Sequence, residues 1–143
     1  MTGIRKGLQI ALLVAVAGWF AWTEYYPGSL ERSGDLSALT RAIANRTSDV
    51  QVTASGEVIK VLPDDNHGSR HQRFLVKLDS GDVILIAHNI DLAPRVPLGE
   101  SDTVEFRGQY EWNDRGGVVH WTRRDPRGRR EGGWVRHRGT TYR

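Results

Sequence analysis

From Val50 onward the chain alternates apolar and polar residues in short runs, separated by clusters of Gly, Pro, Asn and Asp. A period of two puts successive side chains on opposite faces of a strand, so the pattern specifies β-structure with one buried face. The runs are VQVTASGEVIKVL (50–62), RFLVKL (73–78), VILIAH (83–88), TVEFRGQYEW (103–112) and VVHWT (118–122). Gly56 interrupts the first run and predicts a bulge or bend. The stretch 63–69 reads as a loop, 79–82 as a tight turn and 113–117 as a second turn. Pro94 and Pro97 leave room for at most one helical turn near 90–93. Trp134-Val135 is a possible further short strand. Five strands with a longer connection after the third fit a mainly β fold, a small five-stranded Greek-key barrel of the OB type. Closure would remove the free edges of such a sheet. A small β-sandwich or an open β-roll is the competing architecture.

The first 26 residues have a different character. Arg5 and Lys6 precede an uncharged, mostly apolar run from Gly7 to Thr23, and Glu24 ends it. Seventeen helical residues span about 25 Å, the lower limit for crossing a bilayer. Trp19, Trp22, Tyr25 and Tyr26 gather at the far end, where amphipathic rings favour the headgroup region. The run therefore predicts a transmembrane anchor with the N-terminus inside and the rest of the chain exported. A cleaved signal peptide is the rival, since Ala15-Val16-Ala17 fits a small-x-small cleavage pattern. Either way the β-domain is expected on the periplasmic or extracellular side, tethered to the inner membrane or secreted. Residues 27–49 form a linker. Within it Asp35 reads as an N-cap, and Leu36, Leu39 and Ile43 predict a short amphipathic helix over 35–46.

The full chain has 143 residues and a net charge of +3, but the charge is uneven. Residues 51–110 carry 6 basic and 9 acidic groups, and residues 111–143 carry 9 and 4. There is no cysteine, which excludes a disulfide scaffold, a Cys zinc finger, an iron–sulfur site and a Cys nucleophile. A β-domain over 50–122 is thus followed by an arginine-rich extension over 123–143.

Two places attract chemistry. Centring the first hairpin on Ser80-Gly81 pairs Phe74 with Ala87, Val76 with Leu85 and Leu78 with Val83, an apolar face. The other face then carries Arg73 opposite His88, with His71 diagonal to it and Asn89 and Asp91 at the strand exit. In the second hairpin Val119 and Trp121 should oppose the face of Phe106 and Tyr110, while His120 and Glu111 point away. His71, His88, His120 and Asp91 are candidate zinc ligands for a metal-dependent hydrolase. No compact ligand spacing supports that reading, and histidines at strand ends usually cap loops. Asp64-Asp65-Asn66 resembles part of a calcium loop, but no Glu closes a twelve-residue frame. Ser69 and Ser80 lie in no nucleophile-elbow context.

The second place is the C-terminal segment. Arg123, Arg124, Arg127, Arg129, Arg130, Arg136 and Arg138 surround Trp134, with His137 nearby. Guanidiniums bind phosphate or carboxylate bidentately and indoles offer a stacking face. Export disfavours nucleic acid as the ligand. Anionic lipid, an acidic glycan or an envelope protein fits the address better. A solvated basic tail is the bland alternative.

The segments LPDDNHGSRHQRF, LIAHNIDLAPRVPL, DTVEFRGQYEWNDRGGVVHWT, DPRGR and GGWVRHRG resemble a family of small exported bacterial proteins, domain of unknown function 3465, over about residues 52–142. The resemblance implies one exported β-domain. It implies no activity, so no catalytic residue is carried over from it.

The expectation from the sequence is a membrane-tethered binding or accessory module that takes no cofactor. Its candidate ligand-binding residues are His71, Arg73, His88, Asn89, His120, Arg123, Arg124, Arg127, Trp134 and His137. A zinc hydrolase and a structural subunit of an envelope complex are the alternatives.

Overall fold

The structure is a computed structural model and describes residues 38–143. Among the described residues one short helix, α1 (Ala38–Ala44), precedes seven strands. These are β1 (Val50–Asp65), β2 (His71–Leu78), β3 (Val83–Asn89), β4 (Thr103–Glu111), β5 (Val118–His120), β6 (Trp134–His137) and β7 (Thr140–Tyr142). The expected membrane segment, the start of the linker, Asp35 and Leu36 lie outside the described residues. Among the described residues no helix is long and apolar enough to cross a membrane.

The strands pair in the order β1-β2-β3-β5-β4, and β4 pairs again with β1, so five strands close a ring. Among the described strands only β3 and β5 pair in parallel. The ring closes because β1 is long enough to serve two neighbours. Its first half, Val50 to Glu57, pairs with β4, and its second half, from Gly56, pairs with β2. Gly56 sits at the changeover, where a Cβ would run into the Lys77 carbonyl and the Val76 side chain. Two further strands, β6 and β7, extend the sheet from β4. The arginine-rich segment thus adds a hairpin to the sheet, where the sequence suggested at most one strand.

Alternation fills the interior. Val52, Val58, Phe74, Val76, Ile84, Ile86, Val104, Phe106, Tyr110, Val119 and Val135 are buried together. Leu39 and Ala42 of α1 and Val96 of the β3–β4 connection join the same cluster. Helix α1 therefore packs on the β-domain. It ends in a Schellman-type turn: the Thr47 amide donates to the Ala42 carbonyl and the Arg46 amide to that of Ile43. Arg46 occupies the left-handed position usually taken by Gly, with φ of 53°, and its guanidinium lies 5.3 Å from the Trp112 ring centroid.

The β2–β3 hairpin differs from the expectation by one residue. Phe74 pairs with Ile86, Val76 with Ile84 and Lys77 with Val83. The loop has three residues, Asp79 to Gly81, with Leu78 and Asp82 closing it by a backbone bond of 2.8 Å. Gly81, with φ of 88°, takes the left-handed position that ends such a loop. A one-residue slip moves every side chain of a strand to the other face. In β3 it buries Ile84, Ile86 and His88 and turns Val83, Leu85 and Ala87 outward.

Candidate functional site

That slip separates the two histidines expected to meet. His88 is 0% exposed, inside the ring, and His71 lies on the outward face of β2 opposite Asn89. Both ring nitrogens of His88 are engaged. Nε2 donates to the Pro94 carbonyl at 2.9 Å, which leaves Nδ1 to accept from the Thr122 hydroxyl at 2.8 Å. Burial holds His88 below its ordinary pKa, so the neutral form that fits these bonds is favoured. Nδ1 of His71 bonds the Ser69 carbonyl at 2.9 Å.

His88 belongs to a set of buried polar residues that clamp the β3–β4 connection. The Gln72 amide brackets Val96 with bonds of 2.8 and 2.9 Å to its carbonyl and its N–H. The Asn89 side-chain oxygen accepts the amides of Asp91 and Leu92. Asp91 in turn accepts the Arg70 amide at 2.9 Å and its Nε at 3.1 Å, and these hold its pKa below the ordinary carboxylate range. Asp64 and Arg95 form a further ion pair. His88 and Asn89 therefore act within the fold. His71, His88, His120 and Asp91 do not converge, and no three His, Asp or Glu side chains among the described residues are placed to share a metal ion.

A different cluster forms on the outward side of β4 and β5 and the segment that follows. His120 pairs with Gln109 and shares the outward face. Its Nε2 lies 3.6 Å from Glu111, whose carboxylate accepts the Gln109 amide at 2.6 Å. Burial lowers the His120 pKa, with Glu111 opposing the shift. Arg73 is on the outward face of β2 and is tied by Nε to the Pro63 carbonyl at 2.9 Å.

Trp121 is the residue the alternation misplaces. It was expected to face the core with Val119. Instead it takes φ of 58°, a left-handed conformation that bulky residues rarely adopt. Alternation breaks there: Thr122 turns inward to His88, and Trp121 stays half-buried. The chain returns against this point at Gly133, where a Cβ would run into the Trp121 and Arg107 carbonyls. The Gly133 amide donates to the Arg123 carbonyl at 2.7 Å, which pins the chain on both sides.

Two guanidiniums stack on this indole. Arg123 lies 4.5 Å and Arg130 4.6 Å from its centroid. Arg130 also donates to Gln109 Oε1 at 2.9 Å, and Arg123 to the Arg124 carbonyl at 3.0 Å. The intervening loop is organised by Asp125. Its carboxylate accepts the amides of Arg127, Arg129 and Arg130 at 3.0, 2.8 and 2.7 Å, and these hold its pKa low. Arg124, Arg127 and Arg129 are left exposed. Among the described residues no carboxylate lies within ion-pair distance of any of these five arginines.

The remaining expected residues sit elsewhere. Trp134 pairs with Arg107 across β6 and β4, and Arg136 stacks 4.5 Å from its centroid. Unlike the Trp121 pair, Arg136 is neutralised by Glu105 at 3.3 Å, and Arg107 is paired with Glu131. His137 is only 3% exposed, and its Nε2 bonds Asp102 at 2.9 Å. Asp102 also accepts the Gly99 amide and lies 3.6 Å from Arg138. An open cleft of about 360 Å³ adjoins this group, with Arg136 and Arg138 facing Glu105 and Asp102. Its charges balance, so it offers an anion less than the Trp121 cluster does. The structure thus gathers His120, Arg123 and Arg130 around Trp121 and sets Trp134 and His137 apart.

No curated protein matches the chain. A family model does, over residues 25–143, and the chain belongs to that family, the proteins of unknown function DUF3465.

Proposed function

We propose that this protein is an exported, membrane-tethered module with an OB-type Greek-key barrel that binds an anionic ligand of the cell envelope. The ring order β1-β2-β3-β5-β4-β1, with one long strand shared by both halves, supports the barrel reading. The apolar run of residues 7–23 supports the tether. One observation carries the binding role: Trp121 takes a strained backbone conformation, and its ring lies against two guanidiniums that have no carboxylate within ion-pair distance among the described residues. Strain of this kind amounts to about 1–3 kcal/mol and concentrates at functional sites. A merely solvated basic tail would need no such arrangement.

Anionic lipid, an acidic glycan or an acidic envelope protein has the chemistry required. The test is retention of the full chain, in neutral detergent, on immobilised polyanions and on vesicles with and without phosphatidylglycerol, over a range of salt. Binding that falls steeply with salt and is weakened by Arg123→Ala and Arg130→Ala is expected. Equal retention on neutral and anionic supports sinks the proposal.

A further inference from the structure

We infer that His120 couples the arginine cluster to pH: a proton taken up by its ring and an anion bound at the arginines reinforce each other. The inference rests on the anion-binding reading and names the regulation of that same site. His120 Nε2 is buried and has no hydrogen-bond partner among the described residues. Oε1 of Glu111 lies 3.6 Å away, too far for a hydrogen bond. Buried polar atoms nearly always find a partner, so an unpaired one calls for an explanation. Protonation supplies it. A charged N–H facing a carboxylate forms a shorter and stronger bond than a neutral one, so Nε2 is satisfied in the imidazolium form. The side chain as a whole is 33% exposed, which gives solvent protons access to the ring.

The same oxygen connects His120 to the arginines. Glu111 Oε1 accepts the Gln109 amide at 2.6 Å, and Gln109 Oε1 accepts Arg130 at 2.9 Å. Arg130 lies against the Trp121 ring, which the His120 ring meets edge-on at a centroid distance of 6.4 Å. The charges around His120 set the direction of the coupling. Burial comes first and lowers its pKa; Glu111 on β4 favours the proton, while His71 on β2 and Arg130 repel it. Arg73 on the outward face of β2 and Arg123 against Trp121 are the other cations of this neighbourhood. The outward residues of β3, Val83, Leu85 and Ala87, bring no charge. An anion at the arginines offsets the charge of Arg130, removes part of that repulsion and raises the proton affinity of His120. Linkage then requires that a proton on His120 raise anion affinity by the same factor. The cluster therefore holds anions more tightly in acid, with the gain setting in below about pH 6.5.

The experiment uses the full chain in neutral detergent and dextran sulfate as the probe. Its sulfate esters keep their charge between pH 7.5 and 5.5, so a pH effect belongs to the protein. The parent should bind about fivefold more tightly at pH 5.5 than at pH 7.5, the low end for coupled sites because a partly exposed charge is screened. His120→Asn should match the parent at pH 7.5 within about twofold and lose most of the acid gain. His71→Asn removes the neighbouring histidine and should keep the gain. The His120 ring resonances, assigned through bonds in the parent, should titrate at a higher pH when soluble dextran sulfate is added. That readout needs no variant, so it stands even where a substitution unfolds the chain. Glu111→Gln should move the same titration to lower pH in the free protein. An acid gain that survives His120→Asn, or that His71→Asn removes equally, overturns the coupling. So does a His120 titration that the polymer leaves in place. Salt-sensitive retention that persists in those cases leaves the anion-binding reading standing without this regulation, whereas loss of such retention at every pH removes both.

Discussion

His88 makes the fold sensitive to acid, and the size of the effect follows from its surroundings. The side chain is 0% exposed, and it links Thr122 to the Pro94 carbonyl. Replacing it by leucine leaves the buried Thr122 hydroxyl without a partner, at about 1–3 kcal/mol, and removes the part-buried bond to the Pro94 carbonyl, at about 0.5–1.5 kcal/mol. A loss of about 1.5–4.5 kcal/mol is expected at pH 7.5, a large share of a typical domain's stability of about 5–15 kcal/mol. The pH dependence has a definite sign. Burial lowers the native His88 pKa below its ordinary value of 6.5. Below pH 6.5 the unfolded chain therefore takes up a proton that the native chain refuses. Stability is full above that pH and is lost as pH falls toward the native pKa, by about 1.4 kcal/mol per pH unit for one proton. His120 shifts in the same direction, but its side chain is 33% exposed, so its share is screened. Urea unfolding of the full chain in neutral detergent, followed by tryptophan fluorescence at pH 7.5, 6.5 and 5.5, measures both quantities. His88→Leu should unfold at lower urea at pH 7.5 and show a shallower acid slope than the parent. Equal stability at pH 7.5, or an undiminished slope, refutes the role assigned to His88.

Other substitutions probe the remaining contacts. Leu39→Ala removes the fully buried anchor of α1 and should destabilise the domain by about 2–5 kcal/mol in the same urea assay. Gly133→Ala forces a Cβ against the Trp121 and Arg107 carbonyls. It should cost about 1–3 kcal/mol and move the Trp121 indole resonance more than those of Trp112 and Trp134. Asp125→Ala frees the amides of Arg127, Arg129 and Arg130. Trypsin should then cut that loop faster while the urea midpoint stays within about 1 kcal/mol of the parent, as for other exposed positions.

Much of the strand layout was legible because polar and apolar residues alternate cleanly along most strands. Val104, Phe106 and Tyr110 point in and Glu105, Arg107 and Gln109 point out, as the pattern demands. The short helix at Leu39 and Ile43 was visible for similar reasons, whereas the irregularities of β1 fall after Val58 and after Leu62 rather than at Gly56. In β3 the signal is ambiguous, since Val83, Leu85 and Ala87 are as apolar as Ile84 and Ile86. Register then rested on the turn, and a three-residue loop ending in Gly81 cannot be told from a two-residue one by composition. His88 on the buried side made the wrong face look like the core. The candidate site was legible as arginine content but not as geometry. Nothing local announces that Trp121 adopts a left-handed backbone, nor that the chain returns against it at Gly133, twelve positions later, too close for a side chain. Trp134-Val135 was visible as a possible strand, but its continuation to His137 and the partner strand β7 were not.

The double pairing of β1 has a consequence for how the chain acquires its structure. Its second half meets β2 within about one hairpin's length of sequence, but its first half meets β4 across a span in which Val50 faces Tyr110. Closing so long a loop loses chain entropy before any contact rewards it, and domains rich in such pairings fold slowly. The β2–β3 hairpin can form locally, while the ring waits for β4 to find the start of β1. The last seam joins β3 to β5 through only two residue pairs, Leu85 with Val118 and Ile86 with Val119. Amide exchange should report that short parallel seam as the earliest part of the ring to open in the native protein, next to the residues that hold Trp121.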